Sequence, residues 1–180
     1  MLNLSFNFIK VIKKKLFPFY KNKELKLIFK KLHQGHQKKT VVARFVGGCV
    51  RKHIVGDNID DIDVATILTT DEIKKIFQDT NFKIIDTGVD HGTVTLLTKK
   101  FKIEFTTLRR DIRTDGRHAE VEYINDWKMD SERRDFTINA IYLDINGKIF
   151  DPQMGTIDLK NKNVKFIGDP QKRIEEDYLR

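Results

Sequence analysis

The apolar positions change their repeat several times along the chain, and each change marks an element. Val41–Val46 is a run of β-formers and reads as a strand. Gly47 and Gly48 break it, and Val50–Val55 then predicts a short helix ending at Gly56. Asp57–Asp60 is a polar turn, followed by a second strand over Asp61–Ala65. Thr69 or Thr70 supplies the cap of a helix over Asp71–Phe77. Three more β-like runs follow, Phe82–Asp86, Thr93–Leu97 and Phe101–Thr107, the last two joined as a hairpin through Thr98–Lys100. Ahead of all of these, Leu25, Leu27, Ile28 and Leu32 fall close to helical spacing, with Gly35 as a stop. Residues 2–17 mix apolar positions with lysines as an amphipathic helix ended by Pro18.

The pattern fails between Leu108 and Asp130, where charged residues crowd and no apolar period survives. A segment of that length is expected to be a functional or disordered loop. Ser131–Asn139 reads as a helix start and Ala140–Asp144 as a strand, with Asn146-Gly147 as a hairpin turn. Asp151-Pro152 marks another turn, and Val164–Ile167 a last short strand. Pro170 then opens a helix running to Arg180. This order predicts an α/β (α+β) domain with a mixed β-sheet flanked by helices.

Charge divides the chain more sharply than hydropathy does. Of 180 residues with a net charge of +8, residues 1–40 hold eleven lysines against Glu24 alone. The remainder carries 23 basic and 25 acidic residues. The basic character therefore belongs to an N-terminal helical arm, 1–40, and not to the domain over 41–168. Such an arm can meet RNA phosphates, an anionic membrane surface or only water. Its charges follow its apolar part, unlike a secretory signal. No apolar run approaches the roughly 18 residues a membrane helix needs. The lone Cys49 excludes an internal disulfide framework, fits a reducing compartment and reads as a packing residue. The five histidines lack paired ligand spacing, so no zinc site is expected.

Several clusters carry candidate chemistry. On a strand, the period of two puts Asp61 and Asp63 on one face, where paired carboxylates can share divalent ions. The ordinary alternative is a solvated turn beside a strand. The Gly47-Gly48 turn entering a helix offers N–H groups to a phosphate, with Arg51 one turn on. Glu104 lies within Phe101–Thr107, on the face opposite Ile103 and Phe105, where an exposed strand glutamate is equally ordinary. Glu132–Ala140 combines Arg133 and Arg134, whose planar forks suit phosphates, with Asp135, which can accept from a ribose hydroxyl. A charged helix start would look the same. Asp151-Pro152 with Gly155 and Asp158 says only turn. Arg173, Asp177 and Arg180 close the chain, with Asp177 and Arg180 at i and i+3 on one helical face, as an intrahelical ion pair would also be.

Each cluster is weak alone, but their order is specific. VGGCVR, DIDVAT, HGTVT, EFTTLR, RRDFTINA, DPxxGxxDL and RxxEDxxR together resemble the class II tRNA nucleotidyltransferase and bacterial poly(A) polymerase family, from about Ala43 to Arg180. The resemblance implies a nucleotidyltransferase fold and template-independent transfer of CMP and AMP from CTP and ATP to the 3′ hydroxyl of tRNA, in the cytoplasm, with Mg2+. Poly(A) addition is the alternative, and a catalytically inactive RNA-binding remnant is the alternative of another class. By the same resemblance Asp61 and Asp63 are the catalytic, metal-binding pair and Glu104 a third catalytic acid. Gly47, Gly48 and Arg51 form the triphosphate turn, and Arg134, Asp135 and Asn139 face the nucleotide. Asp177 and Arg180 read the base, on a helix that 169–180 begins. Aspartate accepts from the exocyclic amine of cytosine or adenine, and arginine donates to ring acceptors. Where the family has an acid or amide after the arginine of its first motif, this chain has Lys52. Family members continue past the position of Arg180 through helices, so a second polypeptide supplying that helical part is an expected partner. Membrane contact by the arm is not expected.

Overall fold

The fold comes from a computed structural model, which describes residues 18–88, 92–115 and 118–176. Among these, seven strands form one sheet in the order β3-β4-β5-β2-β1-β8-β9. They are β1 (Ala43–Val46), β2 (Ile62–Thr66), β3 (Lys83–Gly88), β4 (Thr93–Leu97), β5 (Lys102–Thr107), β8 (Tyr142–Leu143) and β9 (Ile149–Phe150). Every neighbouring pair is antiparallel except β2 and β5, which run parallel with Asp63 opposite Glu104. A separate two-stranded ribbon joins β6 (Arg109–Asp115) to β7 (His118–Tyr123). The helices are α1 (Lys23–Leu32), α2 (Gly48–Val55), α3 (Thr70–Phe77), α4 (Trp127–Glu132), α5 (Gly155–Lys160) and α6 (Pro170–Glu176).

Strand alternation sorts the sheet into two chemically different faces. Phe45, Ile62, Val64, Val94, Leu96, Ile103 and Phe105 point to one side and pack with Ile73 and Phe77 of α3. Leu25, Ile28, Phe29 and Leu32 of α1 join the same cluster, each at most 2% exposed. Their burial contributes on the order of 6–12 kcal/mol before the entropy of ordering is subtracted. The expected arm over 1–40 is therefore continuous with the domain core from Lys23 onward, while residues 1–17 lie outside the described residues. α1 also carries four lysines, which lie away from this buried stripe. Asp63, Ala65, Glu104 and Thr106 alternate to the other side of the sheet, which carries a smaller cluster of Val46, Ala65, Leu108 and Tyr142.

Local chemistry explains most element ends. Asn22 caps α1 by accepting from Glu24 N at 2.8 Å. Thr69 and Glu72 form a reciprocal capping box at the start of α3. Three expectations fail for identifiable reasons. The supposed loop Leu108–Asp130 is the β6–β7 ribbon plus α4. Its strands are rich in charged residues, one pair of which, Arg110 and Glu122, meets across the ladder at 2.5 Å, so no apolar alternation announces them. The helix placed at Ser131 begins at Trp127 instead, because Asp126 caps Lys128 N and Met129 N. Ser131–Asn139 accordingly holds the end of α4 and a 3-10 turn over Thr137–Asn139. The strand at Val164–Ile167 reduces to one bridge between Phe136 and Phe166.

α5 also stands where only a turn was expected. Asp151 seeds it by accepting from Gly155 N, Thr156 N and Thr156 Oγ1. Gly155 sits so close to the preceding 3-10 turn that a Cβ there would lie 2.0 Å from Thr137 O. Backbone cannot yield as a flexible side chain does. Gly155→Ala is expected to cost about 1–3 kcal/mol and to lower the denaturant midpoint. Gly48→Ala, whose Cβ meets nothing within 4 Å, is expected to leave that midpoint unchanged. Equal midpoints for wild type and Gly155→Ala would contradict the contact.

Candidate active site

The β1–α2 turn is built from two glycines with different tasks. Gly47 has φ 72°, a left-handed conformation that suits glycine, and it is the N-cap of α2 with no side-chain cap. The first N–H groups of α2 are thus left for an anion, and space is open beside Gly48. A Cβ on Gly47 would lie 3.4 Å from Asp63 Oδ2, so the turn rests directly against that carboxylate. Cys49 fastens the turn from below, its Sγ donating to Val46 O at 3.2 Å. Burial pushes its thiol up to about 12, so it is a packing residue and not a nucleophile.

At Asp63 the ionised form is disfavoured. Burial raises its carboxyl above the ordinary value, and Glu104 on the parallel neighbour strand and Asp61 add like charge. Arg134 and Lys102 offset part of this. Among the described residues no hydrogen bond reaches the Asp63 carboxylate. Glu104 is turned onto Lys102 at 2.7 Å, and the hydrogen bond and charge of Glu104 raise the Lys102 ammonium in turn. Consistent with that, no three metal-ligating side chains converge on one point among the described residues. Asp61 and Asp63 remain as a pair. That set fits Mg2+, which typically takes one or two carboxylates and completes its shell with phosphate oxygens and water.

Asn139 joins the two halves of the site. Its Oδ1 accepts from Arg51 Nη1, and its Nδ2 donates to Asp135 Oδ1 and Oδ2 at 3.1 and 3.2 Å. Asp135 also accepts from Phe136 N at 2.7 Å. Arg51, 88 positions before Asn139 in sequence, is thereby joined with Asn139 and Asp135 in one hydrogen-bonded chain. Lys52 is turned onto Asp60 at 3.0 Å, an exposed pair that absorbs its charge. Asp177 and Arg180 lie outside the described residues.

Asp130, absent from the candidates read from the sequence, is the fully buried anion beneath this segment. It is 0% exposed and meets Arg133 Nη2 at 2.8 Å, Arg134 Nη2 at 3.0 Å and Tyr142 Oη at 2.7 Å. Burial pushes its carboxyl up, but Arg134 and Arg133 outweigh this and hold it below the ordinary value. Burial also opposes charge on Arg134, yet Tyr142 and Asp130 keep it firmly protonated. The spacing Asp130, Arg133, Arg134 was the available signal, and it means something only once α4 is placed over it. Arg44 is held differently, with its guanidinium carbon 4.2 Å from the Trp127 ring and 4.6 Å from that of Phe150.

Residues 43–165 match the Poly A polymerase head domain family. Mitochondrial CCA tRNA nucleotidyltransferase 1 of Danio rerio is 46% identical over 145 residues, covering 80% of this chain and 34% of the relative. The crystal structure of the Bacillus stearothermophilus CCA-adding enzyme in complex with CTP superposes with a TM-score of 0.71 at 35% identity, covering 84% of this chain and 35% of that one. A tRNA nucleotidyltransferase complexed with a primer tRNA and an incoming ATP analog gives 0.62 at 29% identity, covering 77% and 38%. The chain spans about a third of the length of the curated relatives it matches. With the glycine turn, the carboxylate strand and the RRD segment all inside the matched region, the chain belongs to the Poly A polymerase head domain family, whose fold it shares with CCA-adding enzymes.

Proposed function

We propose that this chain carries the catalytic head of a template-independent RNA 3′-end nucleotidyltransferase, adding CMP and AMP from CTP and ATP to the 3′ hydroxyl of tRNA. The observation that carries the proposal is the contact of Asp63 with the Gly47 turn, which sets a carboxylate pair against an uncapped helix start. Relatives that bind CTP, or a primer tRNA with an ATP analog, support the substrate class. The hydroxyl oxygen attacks the α-phosphorus and gives up its proton to solvent, an O–P bond forms, the α–β P–O bond breaks and pyrophosphate leaves. Asp61 and Asp63 would hold Mg2+, which when bound supplies activation of the hydroxyl and neutralisation of the phosphates. The N–H groups at the start of α2 cradle phosphate oxygens. Arg51, held by Asn139, adds a fixed positive charge. Asp135, aimed by Asn139 and Phe136 N, accepts from the ribose. Glu104 acts through its like charge on Asp63. Asp177 and Arg180 select cytosine and adenine by their amine edge.

The central assay incubates the chain with tRNA lacking its terminal CCA, labelled CTP and ATP, and Mg2+, alone and with the helical part of a relative supplied in trans. Addition stopping at CCA is expected in at least one mixture, with Asp61→Asn inactive in both. A homopolymer tail would assign poly(A) addition instead, and no addition above Asp61→Asn would refute the enzyme.

The Asp63 charge gives a second expectation, in stability. Its folded-state carboxyl is raised, so above the unfolded value of 3.8 the folded state holds more protons than the unfolded one. Stability therefore falls as pH rises through that window, and the cost is present at neutral pH. Asp63→Asn removes it. Without divalent ions at pH 7, Asp63→Asn is expected to melt above wild type while losing activity. Mg2+ is expected to raise the wild-type midpoint and not that of the variant. A lower midpoint for Asp63→Asn would contradict the strained-charge assignment.

A further inference from the structure

Arg173 ties the last described helix to the segment that faces the nucleotide. Its Nη2 donates to Glu132 O at 2.6 Å and its Nε to Ile167 O at 3.1 Å. Glu132 ends α4, and Arg133, Arg134 and Asp135 follow at once. A carbonyl at a helix end lacks an intrahelical partner and favours a cation. The same segment is gripped a second time through its backbone. Ile167 N donates to Asp135 O at 2.9 Å and Thr137 N to Lys165 O at 3.0 Å. The rings of Phe136 and Phe166 lie 4.6 Å apart.

Residues 132–137 and 165–173 are therefore tied together at several points, and Arg173 is the outer clasp. A planar guanidinium can hold two carbonyls from different segments at a set angle, which an ammonium cannot. The side chain also lines a cavity of about 380 Å³ with Arg110, Asp111, Met129 and Arg133, so its loss opens the cleft at the root of α6. Neither contact touches the α2 turn or the Asp61–Asp63 pair.

We propose that Arg173 is a positioning residue for nucleotide selection, setting the angle at which α6 leaves the Glu132–Thr137 segment. The inference rests on the proposed function, in which Asp177 and Arg180, next in sequence after α6, read the base. Specificity would then depend on a side chain that need not touch the base, while triphosphate binding would not depend on it.

The test measures binding of α,β-methylene analogues of CTP, ATP and UTP, and of inorganic tripolyphosphate, to the full chain with Mg2+. Wild type, Arg173→Met and Arg173→Lys are compared. Wild type is expected to prefer the CTP and ATP analogues over that of UTP. In Arg173→Met that preference is expected to fall about tenfold, the scale of a misplaced contact, with tripolyphosphate affinity unchanged. Arg173→Lys is expected to fall part of the way, and it decides the question should the methionine variant not fold. Preference retained in the variants, or lost together with tripolyphosphate affinity, would overturn the positioning role. A wild type without any preference would instead remove the base-reading function itself, and this inference with it.

Discussion

A half-buried carboxylate that the protein does not neutralise is the constraint around which this site is arranged. The parallel pairing of β2 with β5 puts Asp63 beside Glu104, and chain continuity puts Asp61 beside Asp63. Bringing like charges together away from water costs free energy that hydrophobic packing must offset. A cation held by these carboxylates would offset that cost. The turn at Gly47 lies within contact of Asp63, so an anion held by α2 and a cation held by the carboxylates would attract one another.

The surrounding structure keeps its positive groups in place by spending a second, fully paired charge. Asp130 is buried, but two arginines and a tyrosine hydroxyl satisfy it, so it acts as an anchor where Asp63 acts as a demand. Removing one partner of such a network typically costs about 3–5 kcal/mol. Anchoring also fixes rotamers. Arg134 is held by Asp130 and Tyr142, and Arg51 by Asn139, before any ligand arrives. Preorganised cations cost less to align when phosphate charge appears.

What was legible in the sequence was whatever had a local cause. The apolar alternation of β1, β2, β4 and β5, the glycine turn and the Thr69 cap are each visible within a few residues. The carboxylates of Asp61 and Asp63 and the arginine after the glycine turn were likewise marked by local spacing, with Asp61 just ahead of β2. What stayed hidden depended on distant partners. The β6–β7 ribbon is built largely from charged and polar residues and so looks like a loop. The membership of α1 in the core was masked by its lysines, although Leu25, Ile28 and Leu32 already marked an inner stripe. Gly155 seemed a turn residue because Thr137, eighteen positions earlier, cannot be read as its neighbour. Asn139 stands in the RRDFTINA motif, but that it joins Arg51 to Asp135 needed the fold.

The most direct measurement is anomalous scattering from crystals of the chain grown with Mn2+ and a non-hydrolysable CTP analogue. A manganese peak between the Asp61 and Asp63 carboxylates, with the triphosphate lying over the Gly47–Gly48 turn, is the expected result. A triphosphate bound elsewhere, or a metal away from both aspartates, would contradict the assignment of this site.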